Sequence, residues 1–369
     1  MTIIHCSTSS TPLCSRRVLS VATAQVYAMN TLCLRISCIV MLIVSLSAQA
    51  QFSTVISLGD SLSDTGNVAD LTLGIEPPSP YFFGRFSNGQ VWNELLAIEL
   101  GLSPPTPSRN GGDNYAHGGA LTSMDEQIVI IPIFFVITLP SSTSQIFDFL
   151  SDVGHVADNN ALYTLTIGGN DILAAGDALS AAATMAEIDA AKLDLHNVAL
   201  SLQVALQQLL NDLPAGGAAR IVMLNVPNVG STPRAIAEGK QTIYQELTEA
   251  YNSGLHAVVS GIADQRLLLV DFFALTNDAV ANPQRYGFTN VTDRCWQEAG
   301  NTICSNPDEY LFWDDIHPTS MGHTMMMLQV MDALFPDPEP VDVPIHPAAV
   351  WLLLLLLAGG ARHRFKTGT

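Results

Sequence analysis

Short, largely apolar runs alternate with longer amphipathic segments through the middle of the chain. In residues 186–212 and 240–264, apolar side chains return at steps of three and four, which predicts helices. Nearly continuous apolar runs are typical of parallel strands that are buried on both faces. The alternation therefore predicts one α/β domain over residues 51–334, with three α/β/α layers around a central, mainly parallel sheet. The apolar runs that predict its strands are 52–58, 161–167, 219–225 and 267–271.

One apolar segment does not fit this alternation. Residues 128–139, IVIIPIFFVITL, are apolar except for Thr138, and Pro132 lies in their middle. The segment is too short to cross a bilayer. It is predicted to form a buried strand or an apolar hairpin, and a flap or acyl-binding wall beside an active site is the alternative interpretation.

The first 50 residues are typical of a targeting segment preceded by an extension. Residues 35–50, RISCIVMLIVSLSAQA, combine a positive charge, an apolar run and the small residues Ala48 and Ala50. This order predicts a secretory signal peptide with an A-x-A cleavage site, and Met29 is a candidate start. A transmembrane anchor is the alternative, although the apolar run is short for a span.

The other end of the chain predicts a second signal. A linker rich in proline and aspartate, residues 335–347, precedes a short hydrophobic segment and a basic tail in 348–369. Such a weak span followed by positive charges suits a removable sorting signal or a membrane anchor. The tail resembles the PEP-CTERM class of bacterial sorting signals, from which His346 departs. The resemblance implies sorting machinery as a partner and a location at the cell surface or outside the cell.

Charge distinguishes the body of the chain from its ends. All 34 acidic residues lie in residues 51–342, together with only nine of the 15 basic ones. A field this negative repels nucleic acids, so no nucleic-acid partner is predicted. It suits an exported, solvated protein.

The cysteines predict a disulfide. Four of the six lie in the first 50 residues, which leaves Cys295 and Cys304 in a polar loop. In an exported protein this pair is predicted to be oxidised. Two thiols without C-x-x-C spacing do not predict a metal site, and no cofactor-binding motif is present, so no cofactor is predicted.

Polar segments follow the predicted strands where an α/β sheet binds ligands. The carboxyl ends of parallel strands lie at one edge of the sheet, and ligands bind there. Each segment also has a structural explanation, as a turn or as the start of a helix. Their occurrence together predicts an active site. The segments are GDS at 59–61, NYAHGGA at 114–120, GGND at 168–171 and WDDIHPT at 313–319.

Together these segments resemble the blocks of the GDSL esterases and lipases, the SGNH hydrolases. The likeness covers essentially all of residues 52–334 in the family's order. It implies a flavodoxin-like α/β/α fold and a serine hydrolase that cleaves carboxylic esters through an acyl-enzyme. The lecithinase and haemolysin-like branch is the most similar, which implies lipid esters, including phospholipids. The alternatives are a polysaccharide O-acetyl esterase, an acyltransferase and an inactive surface or matrix protein.

The resemblance also implies the catalytic residues. Ser61 is the implied nucleophile, since a serine hydroxyl needs a base within hydrogen-bond reach. His317 is the implied base, and an aspartate three residues earlier can hold its second ring nitrogen. Family spacing makes that aspartate Asp314, and the adjacent Asp315 is the alternative.

The same resemblance implies an oxyanion hole. Its donors are the backbone N–H groups of Ser61 and Gly119 and the side-chain amide of Asn170. Such donors stabilise the negative oxygen that forms in the transition state. The other polar residues of these blocks are interpreted as loop and helix-start scaffolding: Asp60, Asp64, Asn67 and His323.

Overall fold

The computed structural model of the protein describes residues 52–130 and 135–336. The strands are β1 (Val55–Gly59), β2 (Glu126–Ile130), β3 (Phe135–Leu139), β4 (Leu162–Thr166), β5 (Arg220–Leu224), β6 (Leu267–Val270), β7 (Asn290–Arg294), β8 (Trp296–Gln297), β9 (Thr302–Ile303) and β10 (Tyr310–Phe312). The helices are α1 (Asn67–Leu71), α2 (Trp92–Glu99), α3 (Ser142–Asp152), α4 (Gly169–Ala178), α5 (Met185–Leu200), α6 (Leu202–Asp212), α7 (Pro233–Glu238), α8 (Gln241–Ile262), α9 (Phe272–Ala281) and α10 (Ser320–Leu334).

The central sheet has the order β1-β4-β5-β6, and each neighbouring pair is parallel. Gly59 at the end of β1 is level with Thr166 of β4, which is level with Leu224 of β5. The carboxyl ends of these strands therefore share one edge. All four predicted strands are confirmed.

Helices cover both faces of this sheet. One apolar cluster joins it to α3, α4, α5, α6 and α8, and a second joins it to α2, α9 and α10. Alternate side chains of β5 enter different clusters: Ile221 and Met223 the first, Val222 and Leu224 the second. This alternation is the period of two of a strand buried on both faces. The predicted three-layer α/β/α architecture is confirmed.

The helical predictions also hold. The predicted range 186–212 corresponds to α5 and α6, which are separated at Ser201, and the predicted range 240–264 contains α8.

A polar segment that was not predicted as a strand runs along β1. Ser57 N–H donates to Asp113 O at 2.9 Å, and Tyr115 N–H donates back to Ser57 O at 2.7 Å. His117 N–H then donates to Gly59 O at 3.0 Å. The paired segment ends at the same edge of the sheet as β1. The next residues, Gly118 and Gly119, therefore lie near the loop that contains Ser61.

The apolar segment 128–139 contributes to a hairpin. β2 and β3 pair antiparallel, with Ile128 opposite Ile137. Ile137 and Leu139 are buried against Val68, while Val136 is 53 % exposed. The prediction of an apolar hairpin is confirmed.

The predicted signal peptide in 1–50 and the sorting tail in 348–369 lie outside the described residues, as does the linker from residue 337 onwards. Within the described ranges, no helix combines the length and apolar character that crossing a bilayer requires.

Candidate active site

The end of β1 requires a glycine and then presents a serine. Gly59 has φ +133°, and a Cβ at this position would lie 2.1 Å from Thr166 O. Asp60 N–H donates to the same oxygen at 3.1 Å, which closes the turn. Ser61 follows and is 8 % exposed. Only glycine fits where the two strands approach, since any side chain would push them apart.

Ser61, His317 and Asp314 form a continuous hydrogen-bonded chain. His317 Nε2 lies 2.8 Å from Ser61 Oγ, and His317 Nδ1 lies 2.6 Å from Asp314 Oδ2. The other carboxylate oxygen accepts the backbone N–H groups of Ile316 at 2.8 Å and of His317 at 2.6 Å. The structure therefore brings Asp314 to the imidazole, and not its neighbour Asp315.

The loop between β10 and α10 is closed at both ends. Trp313 N–H donates to His317 O at 2.8 Å. Thr319 accepts from Gly322 N–H at 3.2 Å as the N-cap of α10, and its hydroxyl donates to Tyr310 O at 2.6 Å. These contacts fix the backbone that carries the carboxylate and the imidazole.

Burial and neighbouring charges shift the pKa values of His317 and Asp314 in opposite directions. Burial disfavours the imidazolium, but the charges of Asp314, Asp315 and Asp60 outweigh it, so the pKa of His317 lies above its ordinary value. Burial also disfavours the Asp314 carboxylate. The charge of His317 and hydrogen bonds from His317 and Tyr81 prevail, so the pKa of Asp314 lies below its ordinary range. The site combines an ionised aspartate with a strong imidazole base.

Asp60 and Asp171 are buried carboxyl groups near the serine loop. Burial raises the pKa of Asp60 to about 7 and that of Asp171 to about 6. Asp60 accepts from Leu62 N–H at 3.1 Å, and Asp171 accepts from the Thr122 hydroxyl at 2.7 Å. Asp60 therefore carries only part of a negative charge beside His317 near neutral pH, and its hydrogen bonds agree with a scaffolding role.

Two backbone N–H groups are available for an oxyanion. Neither Ser61 N–H nor Gly119 N–H donates to another residue that the structure describes. Gly119 has φ +83°, and the preceding Gly118 donates its N–H to Asp64 Oδ2 at 2.9 Å. A Cβ on Gly118 would lie 2.1 Å from the ring of Phe86. The first glycine therefore provides space and the second a left-handed turn.

Asn170 lies at the start of α4, directly after β4. The N-cap residue Gly168 has φ +113°, which turns the chain from strand to helix. Asn170 Nδ2 donates one hydrogen to Ala120 O at 2.9 Å, which leaves its second amide hydrogen for a substrate. Asn170 lines the same cavity as Ser61 and His317.

We expect the Asn170→Ala variant to keep its fold and to lose about 10²-fold in kcat, with KM changed little, because one oxyanion donor is removed. Initial rates on a p-nitrophenyl ester and far-ultraviolet circular dichroism measure both properties. A rate within threefold of the parent would assign the oxyanion to other donors.

Cys295 and Cys304 form a disulfide that closes the pair β8 and β9, a unit we call the disulfide hairpin. Backbone bonds attach it to the end of β10: Cys295 N–H donates to Phe312 O at 3.0 Å, and Trp296 N–H donates to Trp313 O at 2.8 Å. The hairpin therefore supports the residue that precedes Asp314.

Tyr81 also belongs to the site, although it was not predicted from the sequence. The Tyr81 hydroxyl donates to Asp314 Oδ2 at 2.5 Å across a separation of 233 residues. A lone tyrosine outside the recognised blocks has no motif spacing, so its place beside the carboxylate emerges only from the folded chain.

A family model described as GDSL-like Lipase/Acylhydrolase matches residues 55–330. The GDSL esterase/lipase EXL2 of Arabidopsis thaliana is 25% identical over 330 residues, which cover 74% of this chain and 85% of that protein. The phosphatidylcholine-sterol acyltransferase of Aeromonas hydrophila is 25% identical over 336 residues, which cover 77% of this chain and 92% of that protein.

Among solved structures, the chain is similar to phospholipase A1 from Streptomyces albidoflavus. The superposition has a TM-score of 0.42 and 15% sequence identity, and it covers 76% of this chain and 99% of that one.

Proposed function

Since the chain belongs to the family of GDSL-like lipases and acylhydrolases, we propose that it is an exported serine hydrolase that cleaves carboxylic esters through an acyl-enzyme. The observation that carries the mechanism is the chain of contacts from Ser61 Oγ through the His317 ring to Asp314 Oδ2. A nucleophile, a base and an orienting acid in hydrogen-bond contact are the parts that acyl transfer requires.

The geometry supports a two-step reaction. His317 Nε2 takes the hydroxyl proton as Ser61 Oγ bonds to the ester carbonyl carbon, and Asp314 stabilises the resulting imidazolium. The carbonyl oxygen becomes negative and is held by the N–H groups of Ser61 and Gly119 and by the amide of Asn170. The bond to the alcohol then breaks, and the alcohol leaves with the proton from His317. Water repeats these steps on the acyl-enzyme and releases the acid.

The cavity beside Ser61 fits an apolar acyl group. It has a volume of about 80 Å³ and extends over the ends of β4 and β5. We propose this cavity as the site of the acyl group. Its apolar lining includes Leu173, Leu224, Val229, Phe272, Phe312 and Met325.

The apolar lining of this cavity supports it as the location of the acyl group. Among the described residues of the β2–β3 hairpin, none lines it. Lipid esters are the substrates that an apolar site of this kind favours.

The alcohol part of the substrate is supported by similarity alone. The Aeromonas relative is named for phosphatidylcholine and for a sterol acceptor, which supports a glycerophospholipid substrate. Acyl transfer to an alcohol uses the same acyl-enzyme as hydrolysis, with the alcohol in the place of water.

Export is supported by the predicted signal peptide, by the acidic body and by the disulfide. Disulfides persist in oxidising compartments outside the cytoplasm. The tail in 348–369 remains a proposed sorting signal, with processing machinery as its partner.

A serine-directed fluorophosphonate tests the mechanism. Its adduct is expected on the peptide that contains Ser61 by mass spectrometry, and prior inhibition should abolish ester hydrolysis. Labelling at another serine with loss of activity, or hydrolysis that persists after complete labelling, would overturn the proposal.

A substrate panel tests the acyl site. We expect kcat/KM on p-nitrophenyl esters to be at least about tenfold lower for acetate than for butyrate, because a two-carbon chain leaves more of the apolar cavity unfilled. A phospholipid and acetyl-xylan, offered to the same protein, identify the alcohol. A preference for acetyl-xylan over every longer acyl ester would assign the protein to carbohydrate esters.

A further inference from the structure

Tyr81 completes the hydrogen bonding of Asp314. Oδ1 of the carboxylate accepts two backbone N–H groups, while Oδ2 accepts His317 Nδ1 and the Tyr81 hydroxyl. Asp314 is 5 % exposed, so water does not readily replace a lost donor. Without Tyr81, the oxygen that faces His317 would keep a single partner.

The ring of Tyr81 is held by other aromatic side chains. Its centroid lies 5.2 Å from that of Trp296 in the disulfide hairpin, in an edge-to-face arrangement, and 6.1 Å from that of Phe86. Phe86 in turn lies 5.3 Å from the His317 ring. Aromatic pairs at these distances stabilise defined relative orientations. The hydroxyl is therefore presented to Asp314 by a rigid support.

We propose that Tyr81 is a positioning residue, which holds the Asp314 carboxylate in the orientation that bonds His317 and is itself held by the disulfide hairpin. A hydrogen bond to a charged acceptor is directional and stronger than one between neutral groups, so it restricts rotation of the carboxylate. The role in catalysis rests on the proposed function. The effect on the imidazole does not depend on any reaction.

The expected effect on proton binding has a defined sign. The charged or titratable groups that face His317 are Asp314, Asp315, Asp60 and His323. Asp314 raises the pKa of His317 through its charge and its hydrogen bond to the ring, and Tyr81 keeps the carboxylate in that contact. A carboxylate that turns away from the ring attracts the imidazolium less, so the pKa of His317 should fall when the hydroxyl is removed.

Tyr81→Phe is the variant that tests the proposal, because it keeps the ring and removes only the hydroxyl. Nuclear magnetic resonance of the labelled His317 ring, titrated in the full-length protein, should show a pKa lowered by about 0.5–1 unit. On a p-nitrophenyl ester, the acidic limb of kcat/KM should move to lower pH by the same amount. The plateau kcat should fall about three- to tenfold, with KM unchanged.

Tyr310→Phe is the matched control. Tyr310 packs in the same aromatic cluster as Trp296, and its hydroxyl makes no hydrogen bond among the described residues. We expect it to leave the His317 titration unchanged. A His317 pKa in Tyr81→Phe that equals or exceeds that of the parent, or an equal shift in Tyr310→Phe, would overturn the positioning role. If the parent protein does not hydrolyse esters, the proposed function is wrong. The titration of the His317 ring still tests the role of Tyr81 in that case.

Discussion

The Ser61→Ala variant is expected to fold and to lose at least about 10⁴-fold in kcat on p-nitrophenyl esters. The Ser61 hydroxyl bonds to His317, so its removal takes away the nucleophile without opening the core. The rate that remains should come from the oxyanion donors and from substrate binding, which act without a covalent intermediate. Steady-state rates at a high enzyme concentration, with the substrate still in excess, together with the thermal midpoint, measure both effects.

The His317→Ala variant is expected to lose a similar factor, and Ser61→Ala/His317→Ala should be no slower than either single variant. Residues that act as one unit are not additive, since the loss of either one removes the same step. Losses that multiply in the double variant would contradict a shared role. A parent-like rate in either single variant would exclude that residue as the nucleophile or the base.

The Asp314→Asn variant is expected to lose about 10³–10⁴-fold in kcat at neutral pH. The Oδ2 atom that accepts His317 Nδ1 becomes either an amide donor or a neutral oxygen. Neither stabilises the imidazolium, and the ring nitrogen that faces Ser61 can then carry the proton instead of accepting one. Rates across pH 5–10 separate this loss from a simple shift of the pH profile.

The adjacent carboxylate provides a matched control. Asp315 is partly buried and raises the pKa of His317 through its charge, but Asp314 makes the hydrogen bond to the ring. We expect Asp315→Asn to retain kcat within about threefold and to move the acidic limb of kcat/KM to lower pH, because a negative charge is removed. A larger loss in Asp315→Asn than in Asp314→Asn would reverse the assignment of the acid.

The sequence predicted most of the framework because strand burial leaves a local pattern. The four apolar runs became β1, β4, β5 and β6, and the segments with helical period became α5, α6 and α8. Residues 113–117 were missed as a sheet edge. The segment is polar, and its pairing with β1 depends on a partner that is distant in sequence.

The candidate site likewise combines residues that the sequence predicted with residues that only the folded chain brings together. Motif resemblance predicted Ser61, His317, Gly119 and Asn170, since glycines and polar residues at strand ends have recognisable spacing. Family spacing predicted Asp314 as the acid and left Asp315 as the alternative. The two aspartates are adjacent, and in the folded loop it is the carboxylate of Asp314 that contacts the His317 ring.

By itself, the sequence determined the α/β class, the order of the elements and the residue types available for ester chemistry, because these follow from apolar periodicity and local motifs. Only the tertiary structure decided that Tyr81 bonds Asp314, and that the cavity opens over β4 and β5. Tyr81 and Asp314 lie 233 residues apart, so packing between distant segments specifies their contact and no local pattern records it.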